Sequence, residues 1–235
     1  MDSALDLKTA ALVLAIGLVG ATQTPPAPDV IPPGWAKSGS APPDYILTVD
    51  YGVVHSGLAS GQLRSRRQTT ATGGITQRVK ADLYRGKRIR VSAWLRTQTA
   101  QSVLFFVRVD GPGMTVDFDN TDNAPLPATS DWANRELVLD VPRTALGITF
   151  GVVMEGMGIV WLDDVALEIV PASTRRTDAP PAPEPPDPER EKMLRQRYSV
   201  EPTSPRNMGF EEPIKGITNL SRLGRVRTVA GAYTD

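Results

Sequence analysis

The fold is decided by residues 158–170, GIVWLDDVALEIV, which begin at Gly158 and end before Pro171. The stretch is rich in β-branched and aromatic residues and lies between turn-forming residues, which predicts a long β-strand. Apolar residues alternate along it, but the alternation slips by one residue at Asp163-Asp164. Because successive side chains of a strand point to opposite faces, this slip predicts a β-bulge at the acidic pair.

The region 35–170 around this strand contains many short apolar runs separated by glycine and proline. This pattern is typical of an all-β sandwich. In the clearest run, residues 87–96, every second residue is apolar, so we expect one set of side chains to face the core and the other to face outward. No helix of convincing length is predicted inside this region. The predicted strands are 45–49, 58–65, 75–79, 87–96, 103–110, 114–118, 135–141, 147–155 and 158–170.

The composition excludes several classes of protein. The 235 residues contain 26 Lys and Arg and 26 Asp and Glu, so the net charge is near zero and a dedicated nucleic-acid binder is not expected. Cysteine is absent, which excludes disulfides, thiolate metal sites and cysteine nucleophiles. Histidine occurs once, at His55, which leaves little room for histidine-based acid–base chemistry or multi-histidine metal sites.

The N-terminal part of the chain carries an apolar run at residues 9–21. The run is shorter than the roughly 20 residues that span a bilayer, so no transmembrane span is expected. Small residues at its end resemble a signal-peptidase site, and we predict a signal peptide over residues 1–21. The alternative is an amphipathic N-terminal helix. Residues 22–33 are a proline-rich, extended spacer, and the predicted location is exported: periplasmic, cell envelope or secreted.

The C-terminal part of the chain begins with a second proline-rich linker, residues 171–188. Asp187 followed by Pro188 is typical of a helix start, with aspartate as the N-cap and proline at the first position. A short, charged helix is therefore predicted over residues 189–198. The tail that follows the helix, up to residue 235, shows no sustained hydrophobic periodicity.

Several segments of residues 35–170 resemble one bacterial jelly-roll family, the galactose-binding-like and carbohydrate-binding-module superfamily. The resemblance implies a jelly-roll β-sandwich over residues 34–170 and implies sugar binding less firmly, because fold does not determine function. The segments are Gly34-Trp35, His55-Ser56-Gly57-Leu58, Tyr84-Arg85-Gly86-Lys87, Val107-Arg108-Val109-Asp110-Gly111, Phe118-Asp119-Asn120, Asp131-Trp132 and Trp161-Leu162-Asp163-Asp164-Val165.

The tail contains Asn207-Met208-Gly209-Phe210-Glu211, which resembles the opening strand of the same class of domain. Residues 207–211 could return to the sandwich as a strand, or they could begin a further unit. We favour the returning strand, because it would cover an unpaired sheet edge.

Sugar binding needs aromatic rings that stack on the apolar faces of pyranoses, with planar polar groups nearby. Trp94 and Phe106 are the aromatic residues predicted to stack on a sugar. The alternative for both is packing under a loop or under the tail. The leading hypothesis is a non-catalytic binding module for a carbohydrate or cell-envelope glycan; the second is a structural or protein-interaction domain accessory to an enzyme or regulator. The predicted ligand-binding residues are Trp94, Arg96, Phe106, Arg108, Asp119 and Asn120, and Trp94 and Phe106 are expected to share one surface.

A structural calcium ion would need several oxygen ligands. Asp164 is the predicted metal ligand, with Asp163 as the weaker candidate, and the alternative is a carboxylate satisfied by backbone N–H groups. The adjacent pair His55-Ser56 suggests a hydrolase, but neighbouring side chains in an extended turn diverge, so a turn is predicted there. No catalytic residues are predicted.

Overall fold

The computed structural model describes residues 29–177 and 185–214. The predicted signal peptide, residues 1–21, lies outside the described residues, as do residues 22–28, 178–184 and 215–235. Within the described part of the chain, no helix has the length and apolarity needed to cross a membrane.

The described residues form ten β-strands, one short 3-10 helix and one α-helix. In chain order these are β1 (Ala36–Ser38), the 3-10 helix (Pro42–Asp44), β2 (Tyr45–Asp50), β3 (Ser60–Ser65), β4 (Thr72–Lys80), β5 (Lys87–Gln98), β6 (Ser102–Gly111), β7 (Met114–Asn120), β8 (Ser130–Val141), β9 (Gly147–Glu155), β10 (Ile159–Val170) and α1 (Pro188–Ser199). Strand β8 starts earlier than the predicted strand 135–141, because residues before Arg135 also pair with β5.

The strands form two antiparallel five-stranded sheets that pack around an apolar core. Sheet I has the order β1-β4-β9-β6-β7, and sheet II has the order β2-β3-β10-β5-β8. The predicted all-β jelly-roll sandwich is therefore confirmed. Strands that follow each other in the chain often lie in opposite sheets, as β5 and β6 do, and this decides which side chains can meet.

Strand β5 shows how the alternating sequence positions side chains. Ile89, Val91 and Leu95 are fully buried, whereas Arg90 and Trp94 are partly exposed on the outer face of sheet II. Strand β6 follows the same rule, with alternate apolar residues in the core and the others on the outer face of sheet I. The inward and outward sets predicted for residues 87–96 are confirmed.

The predicted bulge in β10 is also present. Asp163 pairs with Trp94 of β5, but the next pair joins Ala166 to Ser92, so two residues of β10 lie opposite one residue of β5. Asp164, one of the two, has a positive φ of 46°, which an L-residue other than glycine seldom adopts. The bulge keeps the side chains on both sides of it in the correct faces of the sandwich.

Helix α1 forms where its start signals predict. The Asp187 side chain accepts hydrogen bonds from the N–H groups of Glu189 and Arg190, and Pro188 occupies the first helical position. The helix lies against the outer face of sheet I through Tyr198, whose ring fills the space above Gly147.

The segment after the helix reaches the end of the sandwich, but the predicted strand over residues 207–211 is wrong. These residues form a turn in which Asn207 and Phe210 both have positive φ angles. The turn carries Phe210 into the core, where it is 1% exposed and stacks on Trp35. An extended strand would have aligned the backbone with a sheet edge, whereas burial of the phenylalanine ring requires the chain to bend inward.

Candidate ligand-binding surfaces

The predicted ligand-binding residues lie on different sides of the sandwich. Trp94 and Arg96 project from β5 on sheet II, whereas Phe106 and Arg108 project from β6 on sheet I. The prediction that Trp94 and Phe106 share a surface is wrong. The chain crosses from one sheet to the other between these strands, and their outward faces therefore point in opposite directions.

On sheet I, an aromatic pair borders an open depression. The ring centroids of Phe106 and Phe118 are 6.4 Å apart with an interplanar angle of 29°, and Phe118 is 36% exposed. Leu104, Val153 and Asn120 complete the lining of the depression, which has a volume of about 220 Å³. We call these five residues the phenylalanine platform.

Neighbouring strands explain why the platform is open. Phe106 is paired across the ladder with Gly151 of β9, which has no side chain to lie beside the ring. A Cβ atom on Gly151 would come within 2.1 Å of the Ile75 carbonyl oxygen, so a larger residue does not fit there. On the other side, Phe106 pairs with Asn120 of β7.

Asn120 lies at the rim of the platform and Asp119 does not. The Asn120 side chain exchanges hydrogen bonds with Asp122, at 2.9 Å to its carboxylate and 2.8 Å to its N–H. Asp119 points to the inner side of β7, is 2% exposed, and accepts hydrogen bonds from Thr177 Oγ1 and the Asn120 N–H. Its predicted role in ligand binding is therefore wrong, because the carboxylate is buried and closes the edge of the sandwich.

Arg108 lies on the covered half of the same face. Its guanidinium group is 3.0 Å from the buried carboxylate of Asp110, which also accepts a 2.6 Å hydrogen bond from the Tyr198 hydroxyl. Burial lowers the pKa of Arg108, but the Asp110 carboxylate raises it more, and the net direction is upward. Burial and the same carboxylate raise the pKa of Tyr198. Arg108 thus anchors helix α1 and borders the platform from that side.

On sheet II, Trp94 is covered by another side chain. The His55 ring stacks on it with 3.9 Å between centroids and an interplanar angle of 15°, and Trp132 meets His55 edge-on at 5.6 Å. Packing under a loop was the alternative to sugar binding for this residue, and the structure has that packing. Trp94 does not present an open ring face to a ligand.

Arg96 lies beside Trp94 on the same face. Its guanidinium carbon is 6.0 Å from the centroid of the Trp161 ring, and its Nη1 atom is 3.3 Å from Asp131. The Trp161 indole N–H donates a 2.8 Å hydrogen bond to Asp50, so this tryptophan is fixed in the sheet. Arg96 is 41% exposed at the side chain and remains accessible to solvent.

The acidic pair at the β10 bulge holds the loop that carries His55. Asp163 is fully buried and accepts hydrogen bonds from the N–H groups of His55, Ser56 and Asp164. Burial raises the pKa of Asp163, while these three N–H groups oppose the rise. Asp164 accepts from Ser56 Oγ and lies 2.6 Å from His55 Nδ1.

For Asp163 this arrangement matches the alternative to a calcium site, since N–H groups satisfy its buried carboxylate. Asp164, the first candidate, instead contacts the side chains of His55 and Ser56. Among the described residues, no group of three or more His, Asp or Glu side chains is arranged to hold a metal ion. Calcium binding through Asp164 and Asp163 stays a prediction. His55 and Ser56 each contact Asp164 rather than each other, which is not the order of contacts in a catalytic triad.

Phe118 is a platform residue that was not predicted, and it lies in a strand whose pattern of burial departs from the usual one. In β7 the acidic residues Asp117 and Asp119 alternate with Val116 and Phe118, and the usual expectation places the apolar set inside. The structure instead buries both acids and places Phe118 outside, while Val116, at the register shift between β6 and β7, packs against the core. Arg176 pairs with Asp117 at 2.7 Å, which explains how the edge tolerates an inward carboxylate.

The fold defines an all-β jelly-roll domain built of two antiparallel five-stranded sheets. No family model matches the sequence. An uncharacterized HTH-type transcriptional regulator, YbfP of Bacillus subtilis, is 38% identical over 149 residues, which cover 62% of this chain and 50% of the relative. The chain thus spans about half the length of the curated relative that it matches.

Two solved structures show similarity at low sequence identity. The enzymatically active domain of tailspike protein 4 of bacteriophage CBA120 has a TM-score of 0.47 and 18% identity, with 59% of this chain and 20% of that chain covered. The CBM22-1–GH10 modules of xylanase 10B of Clostridium thermocellum, complexed with xylohexaose, have a TM-score of 0.44 and 15% identity, with 58% and 26% covered. At these scores and identities neither structure bears on the ligand of this chain.

Proposed function

We propose that this domain is a non-catalytic binding module that recognises a carbohydrate, such as a cell-envelope glycan, at the phenylalanine platform. The observation that carries the proposal is the outward-facing pair of Phe106, which is partly buried, and Phe118, which is 36% exposed, beside a depression of about 220 Å³. Exposed aromatic rings on a sheet face are unfavourable in water unless a ligand covers them, and pyranose rings offer apolar faces that stack on such rings. Asn120 and Asp122 at the rim supply polar groups for sugar hydroxyls.

The lining of the platform favours binding over catalysis. Its five residues are Leu104, Phe106, Phe118, Asn120 and Val153, and none of them is an acid or a base. Glycoside hydrolysis uses a pair of carboxyl groups that flank the scissile bond. Export of the protein is part of the proposal, and its support is the apolar run at residues 9–21 with small residues at its end.

A glycan array followed by calorimetry tests the proposal with the protein of residues 22–235. We expect Phe118→Ala to abolish most glycan binding, because the ring that stacks on the sugar is removed. Trp132→Ala is the matched control, since it removes a partly exposed aromatic ring from the opposite sheet. Equal binding by the wild type and Phe118→Ala, or no binding of any glycan by the wild type, would contradict the proposal.

The relative in Bacillus subtilis supports a second candidate function. A chain that is 38% identical to half of an HTH-type transcriptional regulator is compatible with an accessory domain that contacts a protein partner within a regulator. In that case the platform binds an apolar protein surface. Subcellular fractionation of the native host separates the two candidates, because a glycan-binding exported protein leaves the cytoplasm and a domain of a regulator stays there.

A further inference from the structure

A cleft of about 250 Å³ lies between helix α1 and the end of sheet I. Tyr198 anchors the helix there through its hydrogen bond to Asp110, so docking of the helix creates the cleft. The sandwich contributes Lys80, Asp82, Arg85 and Leu146 to its lining, and the helix contributes Arg195, Tyr198 and Ser199.

The lining of the cleft carries an excess of positive charge. Arg85 forms an ion pair of 2.9 Å with the exposed carboxylate of Asp82, and its Nε donates to the Ala145 carbonyl oxygen. Arg195 pairs with Glu191 one helical turn away at 2.7 Å. Both ion pairs are partly exposed to solvent, where such pairs contribute little and exchange partners readily.

Lys80 differs from the two arginines of the cleft. Its backbone N–H donates to the Pro202 carbonyl oxygen, which holds the end of β4 against the tail. In the described part of the chain, its ammonium group has no carboxylate within ion-pair distance and donates no hydrogen bond, although the residue is half-buried. The Lys80 side chain is therefore available to an anion in the cleft through charge-assisted hydrogen bonds.

We propose that this cleft binds the tetrahedral oxyanion of a phosphate group, with Lys80 as the principal contact and Arg85 and Arg195 on either side. Lysine and arginine bind phosphate oxygens through charge-assisted hydrogen bonds. The anion contacts the sandwich through Lys80 and Arg85 and the helix through Arg195, so it holds helix α1 on sheet I. This site is on the covered half of sheet I and is independent of glycan binding at the platform.

Phosphate titration of the full-length protein tests the site, with inorganic phosphate and glucose 6-phosphate as the two probes. Sodium chloride at the same ionic strength is the salt control. We expect phosphate to raise the melting temperature above the value in sodium chloride, because a ligand that binds the native state stabilises it by mass action. Lys80→Gln should weaken the calorimetric affinity by about tenfold.

Lys192→Gln is the matched control, because it removes one lysine charge from the exposed surface of helix α1, outside the cleft. Arg195→Gln is the second test variant and should reproduce the loss seen for Lys80→Gln. Binding of inorganic phosphate identifies the free ion as sufficient, and binding of the sugar phosphate alone identifies a phosphorylated ligand. Equal shifts in the wild type and all three variants, or a shift no larger than that in sodium chloride, would overturn the site and leave these cations as partners of the helix C-terminus.

Discussion

The two outer faces of the sandwich carry aromatic rings at equivalent places but differ in what covers them. Phe106 on β6 and Trp94 on β5 both occupy the strand next to a sheet edge, and each pairs across the ladder with an asparagine, Asn120 and Asn134. The Trp94 ring is stacked under His55, whereas the Phe106 ring borders an open depression. An outward aromatic residue therefore borders an open depression on one sheet and lies under a packed side chain on the other.

The cause of the difference lies in the neighbouring strands. On sheet II, the bulge in β10 places Asp163 and Asp164 where they hold the His55 loop over Trp94. On sheet I, Gly151 leaves the space beside Phe106 empty, and the tail helix covers only the half of the face around Asp110 and Tyr198. The open platform is the part of sheet I that none of the described loop and tail residues covers.

The largest expected effect concerns the part of the tail that enters the core. Phe210→Ala should lower the free energy of unfolding by about 3–5 kcal/mol, because it removes a fully buried aromatic side chain and leaves a cavity. Chemical denaturation of the protein of residues 22–235 measures this loss. A change within about 0.5 kcal/mol, the range of ordinary surface substitutions, would show that the tail does not pack into the sandwich.

The comparison of the two faces becomes sharper with Trp94→Ala and Phe118→Ala. Trp94→Ala should cost about 2–3 kcal/mol of stability, since it removes a ring packed between the sheet and His55. Phe118→Ala should cost less than about 1 kcal/mol, because its ring is partly exposed. Thermal and denaturant unfolding measure both values. Equal costs would mean that the two rings are covered to the same extent.

The stability contributed by Asp140, at the sandwich edge formed by β7 and β8, should depend on pH. Hydrogen bonds from Arg88, opposed by burial and reinforced by the charges of Arg88 and Arg176, lower the pKa of Asp140 in the folded protein. A carboxyl group with a lowered folded pKa stabilises the fold above its unfolded pKa, near 3.8, and this stability is lost as the pH falls through the folded value. Asp140→Asn should therefore flatten the acid side of the stability profile, measured by unfolding between neutral and strongly acidic pH. An unchanged slope of the profile would show that Asp140 does not contribute to acid denaturation.

The smallest expected effect concerns the bulge that holds the His55 loop. If Asp164 binds calcium, the melting temperature in calcium should exceed that in chelator, and Asp164→Asn should remove the difference. Differential scanning calorimetry at fixed ionic strength measures it. Identical curves for the wild type in both conditions would assign the bulge to hydrogen bonding alone.

The sequence by itself determined those features that depend on neighbours in the chain. Alternation along β5 predicted which of its side chains enter the core, because the period of a strand is two whatever the strand pairs with. The slip at Asp163-Asp164 predicted the bulge, and the start signals at Asp187-Pro188 predicted helix α1. All of these are local rules, and the structure follows them.

The tertiary structure alone decided which outward side chains are covered and which border an open depression. Trp94 and Phe106 are in the same phase of consecutive strands, yet the chain crosses between the sheets and separates them. The loop of His55 covers Trp94 because it is held by Asp163 and Asp164, which are more than one hundred residues away in the chain. Phe210 is buried beside Trp35 in a turn rather than in the expected strand. Such contacts depend on where distant segments come together, and the alternation within one segment carries no information about its distant partners.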